Sequence, residues 1–475
     1  MLSLAPTGLP PRAGKQVARI AVPVGFEFFL VLALTFANQI IVGGLGGTAI
    51  AAVGFVNSIH TIPLFFLGAL NVGAGVVVGR AFGGGNRSVT NRAVTYSVVL
   101  SVVSATIVAI PFVLFPRQIL SLAGASPQVV AAGSGYLAVL LASLGAGVLT
   151  MVLGSVLRSV NRARSPMVAT MVSVALNVPL AIVLVYGLGP IPAFGVLGAG
   201  LATFTTTVVR AGILLAQVYL VYDVANWKLP RGGAQWINLG RPILRLAVPM
   251  ALTSLSWTLG NFFYNVIVQQ LGDGPLAALQ IVFALAGVFV VGSIGLGSAI
   301  TVLVSQAIGA GNAGIAQIWI RYLLRIGIIT GVGFAGLFAL SSLLLPFLFP
   351  ALESDVLGLA SIGILINALL QPLSVRMLLY ASVLPAGNDT TGIIIGDFSG
   401  PYLVGLPLTL VLGLLTPLGM LGAVIGKASE EVLKLAIFSY RSRRIRWDEV
   451  LKSHEDSLVT MGDFRTGPIT INVGA

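Results

Sequence analysis

The segment AFGGGN at residues 81–86 has a counterpart, AIGAGN, at residues 307–312. The two segments lie 226 residues apart, and the same offset aligns RIAVP at 19–23 with RLAVP at 245–249. Two further matches are LG at 45–46 with LG at 271–272, and GVLGA at 195–199 with GMLGA at 419–423 at an offset of 224. Helix ends and turns that recur at nearly one offset predict two internal repeats.

The composition excludes a soluble globular protein. The 475 residues are 57% hydrophobic and 8% charged, with a mean hydropathy of +1.01, whereas soluble domains carry about 25% charged residues. Because a membrane-spanning helix needs about 20 apolar residues, the length fits about twelve spans with short loops. We therefore expect an all-α polytopic membrane protein with 12 transmembrane helices.

Hydrophobic runs bounded by Gly, Pro and basic residues predict six spans in each repeat. The first six are expected near 19–43, 49–79, 92–115, 128–157, 166–186 and 196–221. The second six are expected near 243–269, 276–305, 317–348, 356–384, 391–413 and 419–440. Repeats that start and end on the same side of the membrane are related by an axis along its normal, which predicts two pseudo-symmetric six-helix lobes around a central cleft.

Basic residues predict the orientation. The chain has 26 Lys and Arg residues against 14 Asp and Glu residues. The basic residues concentrate in alternate loops, which predicts a multi-pass cell-membrane protein with both termini in the cytoplasm. Arg80 and Arg158 are assigned to two of these loops. The predicted parts are a cytoplasmic N-terminal segment (1–18), an N-lobe (19–222), a cytoplasmic linker (223–242), a C-lobe (243–440) and a cytoplasmic tail (441–475).

The same counts bear on the class of function. The chain has no Cys and two His residues, so we expect no metal site, no catalytic residues and no cofactor other than a coupling ion. Because the positive charge follows the membrane topology, the expected partners are a small organic molecule and the lipid bilayer rather than nucleic acid. We expect a monomer.

Several segments together resemble the multidrug and toxic-compound extrusion (MATE) family, within the multidrug, oligosaccharidyl-lipid and polysaccharide exporter superfamily. They are VPVGFE (22–27), GGLGGTAIAAVG (43–54), VGAGVVVGRAFGGGN (72–86), NRARSPMVATMVSVALN (161–177), GLGPIPAFGVLGAGLAT (187–203) and LPAGNDTT (384–391). The resemblance implies twelve helices in two lobes, alternating access, and export of organic compounds driven by inward movement of H⁺ or Na⁺.

The chain departs from the family pattern at the N-lobe cation site. The resemblance places Asn38 where members often carry an acid in helix 1, and Ala181 where an acid often follows the residue matching Asn177. Thr203 of helix 6 belongs to the same site. The resemblance therefore implies that Asn38, Asn177 and Thr203 line the cleft as polar groups without a carboxylate.

Glu27 is the leading candidate for ion coupling. It lies eight residues after Arg19, about 12 Å into the membrane at helical rise, and shares one helix face with Thr35 and Asn38. A buried carboxylate needs a partner, a wet cavity or a proton. The alternatives are a permanent pair with Arg210 in the same lobe, or a pair across the lobes with Arg376.

Arg376 and Asp397 flank the turn around residue 387 at similar distances along the chain. Equal distances along antiparallel helices predict equal depth, and thus either a static salt bridge or a gate in which Arg376 exchanges between Asp397 and Glu27. Asp397 is the second ion-coupling candidate. In helix 12, the charged residues Lys427, Glu430, Glu431 and Lys434 are spaced to neutralise one another.

These observations favour an H⁺- or Na⁺-coupled antiporter that exports organic, amphipathic or cationic compounds by alternating access. One alternative is a lipid-linked saccharide flippase of the same superfamily, which would need a strongly basic cleft for its pyrophosphate. Another is a membrane-embedded enzyme, which would need a His, Cys or metal cluster that the sequence lacks.

Overall fold

The computed structural model describes residues 12–226, 233–349 and 353–460, and within these ranges the fold is all-α, with one isolated bridge between Leu188 and Ile191. The helices of the first half are α1 (Ala13–Gly43), α2 (Gly47–Gly68), α3 (Leu70–Gly83), α4 (Arg87–Leu114), α5 (Pro116–Leu122), α6 (Pro127–Ala142), α7 (Leu144–Ser159), α8 (Arg164–Tyr186) and α9 (Val196–Ala216). A π-turn, Gln217–Val221, extends α9.

The second half follows a similar course, but its helices are interrupted at different positions. Its helices are α10 (Gly233–Gln269), α11 (Asp273–Gly309), α12 (Ala313–Ser341), α13 (Leu345–Leu348), α14 (Ser354–Ala386), α15 (Thr390–Ser399), α16 (Leu406–Leu414), α17 (Met420–Arg443) and α18 (Trp447–Thr460). A 3₁₀ turn, Ser342–Leu344, precedes α13, and a π-turn, Gly400–Gly405, joins α15 to α16.

The all-α membrane fold is confirmed. Ten helical segments of the described ranges are long and apolar enough to cross a bilayer, and α6 with α7, bent by 44°, makes an eleventh if the pair crosses once. The twelfth predicted span, α17, is not among them, because it carries four charged residues between Lys427 and Lys434. The count of twelve therefore stays a prediction.

The first helix of each half packs partly against the other half. Val17 and Ile20 of α1 lie in a core with α11, α12 and α14. Ile243 and Ala247 of α10 lie in a core with α3, α4 and α7. This exchange joins the halves at the end where α1 and α10 begin. We call it the basic end, because it also carries Arg80, Arg162 and Arg241.

Glycines allow α3 and α11 to meet at the basic end. A Cβ at Gly83 would overlap the backbone of Gln306, and a Cβ at Gly309 would overlap the backbone of Arg80. Gly83 and Gly309 are 226 residues apart, as are Arg80 and Gln306. The closest approach of the halves thus obeys the offset seen in the sequence.

The predicted boundaries fall only partly on described residues. Residues 1–11 of the N-terminal segment, 227–232 of the linker and 461–475 of the tail lie outside the described ranges. Within those ranges, α10 begins at Gly233, inside the predicted linker, and α18 occupies part of the predicted tail. Val450 of α18 packs into the core that contains α11 and α12.

Candidate transport site

Glu27 lies in a buried ionic cluster of the first half. Its Oε1 accepts a hydrogen bond from Nη2 of Arg210 at 2.8 Å, and its Oε2 accepts one from Nη1 of Arg158 at 3.0 Å. The Glu27 residue is 4% exposed. Of the two ion pairs considered for Glu27, the structure shows the pair with Arg210 and not the pair with Arg376.

Sequence reasoning missed Arg158 as part of this cluster. It was assigned to a loop, but α7 continues to Ser159 and holds Arg158 in its last turn, with 11% of the side chain exposed. Gly154 lies one turn earlier, where a Cβ would come within 3.2 Å of the guanidinium. A small residue four positions before the arginine was the available signal, and it is a weak one.

Arg158 also faces a cavity between the halves. The cavity has a volume of about 190 Å³. Its polar lining comes from both halves: Asn71, Ser155, Arg158, Ser159, Ser298, Thr301 and Ser382. One guanidinium therefore contacts the buried carboxylate and borders the space between the lobes.

The four polar residues predicted to line the cleft do not form one group of contacts. Asn177 is fully buried, and its Nδ2 donates to Oγ1 of Thr206 at 2.9 Å, a partner that sequence analysis missed. Thr203 and Thr35 donate to carbonyls in their own helices, at 3.0 Å to Ala199 and 3.1 Å to Val31.

The amide oxygens of the two asparagines predicted to line the cleft have no hydrogen-bond partner among the described residues. They are Oδ1 of Asn38 and Oδ1 of Asn177, and both atoms are buried. A buried acceptor without a donor is costly, so both are available to a ligand or water.

A second ionic network lies in the other half, around α17. Nζ of Lys434 contacts Oε1 of Glu430 at 2.7 Å and Oδ1 of Asp397 at 3.2 Å. Lys427 approaches Glu430 at 3.5 Å, and the hydroxyl of Tyr264 donates to the same carboxylate at 2.8 Å. Glu431 accepts a hydrogen bond from Ser374.

Glycines of the π-turn make room for this network. A Cβ at Gly400 would lie 2.8 Å from Cγ of Lys434, and a Cβ at Gly405 would overlap the hydroxyl of Tyr264. π-turns within α-helices often occur at functional sites.

The expected pair between Arg376 and Asp397 is absent, so that prediction is wrong. Asp397 pairs with Lys434 instead, and Nη2 of Arg376 donates to the hydroxyl of Tyr380, one turn further along α14, at 3.3 Å. Equal distances from the turn predict that Arg376 and Asp397 lie at the same depth, but they do not determine how each helix is rotated about its axis. The predicted gate needs a contact of Arg376 with Asp397 or with Glu27, and this structure shows neither contact.

The basic end contains a symmetric pair of contacts between the halves. Nη2 of Arg80 donates to the carbonyl of Ala386 at 2.7 Å and to Oδ1 of Asn388 at 3.0 Å. Nε2 of Gln306 donates to the carbonyl of Ser159 at 2.8 Å and to Oδ1 of Asn161 at 3.1 Å. We call these four hydrogen bonds the clamp.

The two acceptor loops of the clamp have the same backbone geometry. Asn161 and Asn388 adopt positive φ angles of 64° and 60°, a conformation that Asn tolerates better than most residues. Arg80 had been assigned to a loop, but it lies in the last turn of α3 and is 7% exposed. The repeat offset, which pairs Arg80 with Gln306, was the signal for its role.

No group of three His, Asp or Glu side chains that could hold a metal ion is found among residues 12–226, 233–349 and 353–460.

Comparisons with known proteins agree with the fold. A family model described as MatE matches residues 23–183 and 249–411. The chain is 25% identical over 448 residues to the probable multidrug resistance protein NorM of Thermotoga maritima, covering 90% of this chain and 92% of that protein. It is 24% identical over 426 residues to the multidrug resistance protein NorM of Vibrio vulnificus, covering 87% and 92%.

A solved structure supports the same architecture. It is described as the outward-facing conformation of a multidrug resistance MATE family transporter of the MOP superfamily, and it matches with a TM-score of 0.83 at 20% identity. The match covers 92% of this chain and 96% of that chain. At this identity the likeness shows the fold alone.

Proposed function

This chain belongs to the MATE family of membrane transporters, and from that premise we propose that it is an ion-coupled antiporter that exports organic, amphipathic or cationic compounds. Both of the named relatives are called multidrug resistance proteins, which supports multidrug export here. The coupling ion is H⁺ or Na⁺, and Glu27 and Asp397 are the proposed coupling residues.

The observation that carries the proposal is the position of Arg158 between Glu27 and the cavity between the halves. While Glu27 is ionised, it offsets one of the two arginine charges, Arg158 faces the cavity as part of an ion pair, and the cavity accepts a cationic compound. When Glu27 takes up a proton, the net charge of the cluster rises from one to two, Arg158 loses its counter-charge, and the compound is repelled more strongly. Proton and substrate therefore exclude each other, as antiport requires.

This arrangement favours H⁺ over Na⁺ at Glu27. Either ion adds one positive charge to the cluster, but a proton needs only one carboxylate oxygen, whereas Na⁺ needs several oxygen ligands and the two groups that contact Glu27 are guanidinium cations. In the other half, three carboxylates share two ammonium groups. Asp397, whose side chain is 21% exposed, can therefore take up a cation without leaving Lys434 unpaired, because Glu430 remains its partner.

We propose that the basic end faces the cytoplasm, that both termini lie there, and that one chain suffices for transport. The clamp then closes the cytoplasmic side, and alternating access requires its four hydrogen bonds to break. Few charges line the cavity, so recognition should rest on shape and apolar contact, with broad specificity and affinities of about micromolar order.

Flux of a fluorescent cationic dye in proteoliposomes tests the proposal, with a pH gradient and a Na⁺ gradient imposed separately. We expect the pH gradient to drive efflux. Glu27→Gln should fold and lose gradient-driven efflux, because an amide keeps the shape but cannot carry the proton.

The matched control is Glu353→Gln, which changes an exposed acid at the start of α14 and should leave efflux unchanged. Wild-type efflux by Glu27→Gln would refute the role of Glu27. Efflux driven by Na⁺ alone would refute proton coupling. Tight binding of one polar metabolite, with hydrophobic cations excluded, would argue against multidrug export.

A further inference from the structure

Two cavities at the basic end share Arg241 and Arg245. The first, of about 310 Å³, lies between the halves and is bounded by Arg80, Asn388 and Ser453 of α18. The second, of about 760 Å³, is a groove lined by Arg241, Arg245 and mainly apolar residues. A polar cavity and an apolar groove thus meet at the same two arginines.

The first cavity has an excess of positive charge. Arg80 is 7% exposed, and its Nε has no hydrogen-bond partner. Among the described residues, no carboxylate lies within 4 Å of the guanidinium groups of Arg80, Arg241 or Arg245. Asp456 is the one acidic residue among the described residues that line the first cavity. A largely buried cation without a carboxylate at salt-bridge distance is unfavourable, so a cavity with three arginines and one acid is suited to an anion.

The groove continues from the arginines along a lipid-facing surface. Arg241, Leu244, Arg245 and Val248 follow one another at helical spacing on one face of α10. Leu244 is 37% exposed and Val248 is 54% exposed, within the segment Gly240–Gln269 that can cross the bilayer. This face therefore changes from charged to apolar in the direction of the membrane interior.

Two aromatic residues line the groove beside the arginines. The rings of Tyr96 and Trp236 lie 5.4 Å apart and both line the groove. Tyr and Trp are enriched where a membrane protein meets the lipid headgroups. Trp236, beside Arg241, therefore fits a position at the depth of the lipid headgroups.

We propose that an anionic phospholipid binds here, with its phosphate at the three arginines and one acyl chain in the apolar groove. Guanidinium groups form paired hydrogen bonds with phosphate oxygens, and basic pockets between membrane helices bind anionic headgroups. A free phosphate would use the arginines but leave the groove unfilled. The bound lipid connects Arg80 of the first half to Arg241 and Arg245 of the second, so it stabilises the clamp.

Quenching of tryptophan fluorescence by lipids with brominated acyl chains tests the proposal on the full chain in mixed micelles. At equal mole fraction, brominated phosphatidylglycerol should quench more than brominated phosphatidylcholine. The difference should fall sharply in Trp236→Phe, because the groove places that indole beside the chain. Each arginine should contribute about fivefold to the preference.

The variant Arg241→Gln/Arg245→Gln should lose the preference for phosphatidylglycerol, and Arg241→Lys/Arg245→Lys should keep part of it, because charge remains. The matched control is Arg321→Gln, an exposed arginine of α12 that does not line either cavity.

Equal quenching by the two lipids, or a full preference in the Gln variant, would overturn the proposal. So would removal of the preference by millimolar inorganic phosphate at constant ionic strength, since that would identify a site for free phosphate.

Discussion

The two halves of the molecule use the same joint but different charges. On one side Arg80 donates to a carbonyl and an asparagine at positive φ, and on the other side Gln306 donates to the equivalent pair. The first half encloses one carboxylate between two arginines. The second half encloses three carboxylates with two lysines.

This difference shows which features the repeat retains. Glycines allow the same close contacts in both halves. A Cβ at Gly240 would overlap the hydroxyl of Tyr96, and a Cβ at Gly14 would lie 3.3 Å from the hydroxyl of Tyr322. Both pairs obey the offset of 226 residues. Backbone packing is therefore symmetric, whereas the ionisable groups are specific to each half. We expect both halves to contribute to closure of the basic end, and we expect the two ionic networks to contribute unequally to ion coupling.

The largest expected effect distinguishes the two ionic networks by their redundancy. Lys434→Met removes the partner that Asp397 and Glu430 share, and breaking a buried pair in this way costs about 3–5 kcal/mol. Arg210→Met should cost less, because Glu27 keeps Arg158. Thermal stability of the two variants in detergent measures the difference, and an equal or larger loss in Arg210→Met would contradict it.

A second prediction concerns α18, which packs on the second half and has its His454 near Arg80. Burial, and then the charge of Arg80, lower the pKa of His454 from 6.5 to about 4. The docked helix thus binds a proton less readily than the undocked helix. Docking should be complete above about pH 6.5, weaken as the pH falls towards about 4, and lose about 3 kcal/mol at most.

Hydrogen exchange of residues 447–460, corrected for the intrinsic effect of pH, measures this docking. His454→Gln should remove the pH dependence between about pH 6.5 and 4, because its amide does not titrate. A dependence of the same size in His454→Gln would show that another group causes it.

The sequence predicted the scaffold better than it predicted the ionic partners. The offset between AFGGGN and AIGAGN established the repeat, and the buried position of Glu27 followed from its distance to Arg19. Local spacing gives depth along a helix but not its rotation in the bundle, so the pairing of Asp397 with Lys434 was missed. Arg158 was missed because its helix ends one residue beyond it.

A third prediction compares the two donors of the clamp. Arg80→Ala should open the basic end more than Gln306→Ala, because hydrogen bonds from a charged donor contribute more than neutral ones. Since the chain has no Cys, labelling of Ser305→Cys, a buried position beside Gly79, reports the opening. We expect labelling to rise about tenfold in Arg80→Ala and about threefold in Gln306→Ala.

Arg80→Gln provides the control for this comparison, since it makes the two donors alike. It should label at a rate between those of the protein with Ser305→Cys alone and of Arg80→Ala, because a neutral donor remains but the charge is lost. Equal labelling in all variants would mean that the clamp does not hold the halves together.

The smallest expected effects separate the shared backbone of the joint from its unequal charge. Asn161→Gly and Asn388→Gly keep the positive φ and remove one acceptor each, so the loss should be larger for Asn388, which accepts from a guanidinium, than for Asn161. The corresponding Ala variants add the strain of a left-handed residue, about 1–2 kcal/mol, by the same amount on both sides because the φ angles nearly coincide. The thermal stability of all four variants in detergent measures both effects. The Ala variant should be less stable than the Gly variant by the same amount in the two loops. Of the two Gly variants, Asn388→Gly should lose more stability than Asn161→Gly. If Ala minus Gly differed between the loops, the backbone of the joint would not be symmetric; if the Gly variants lost equal stability, the charge of Arg80 would add nothing to the clamp.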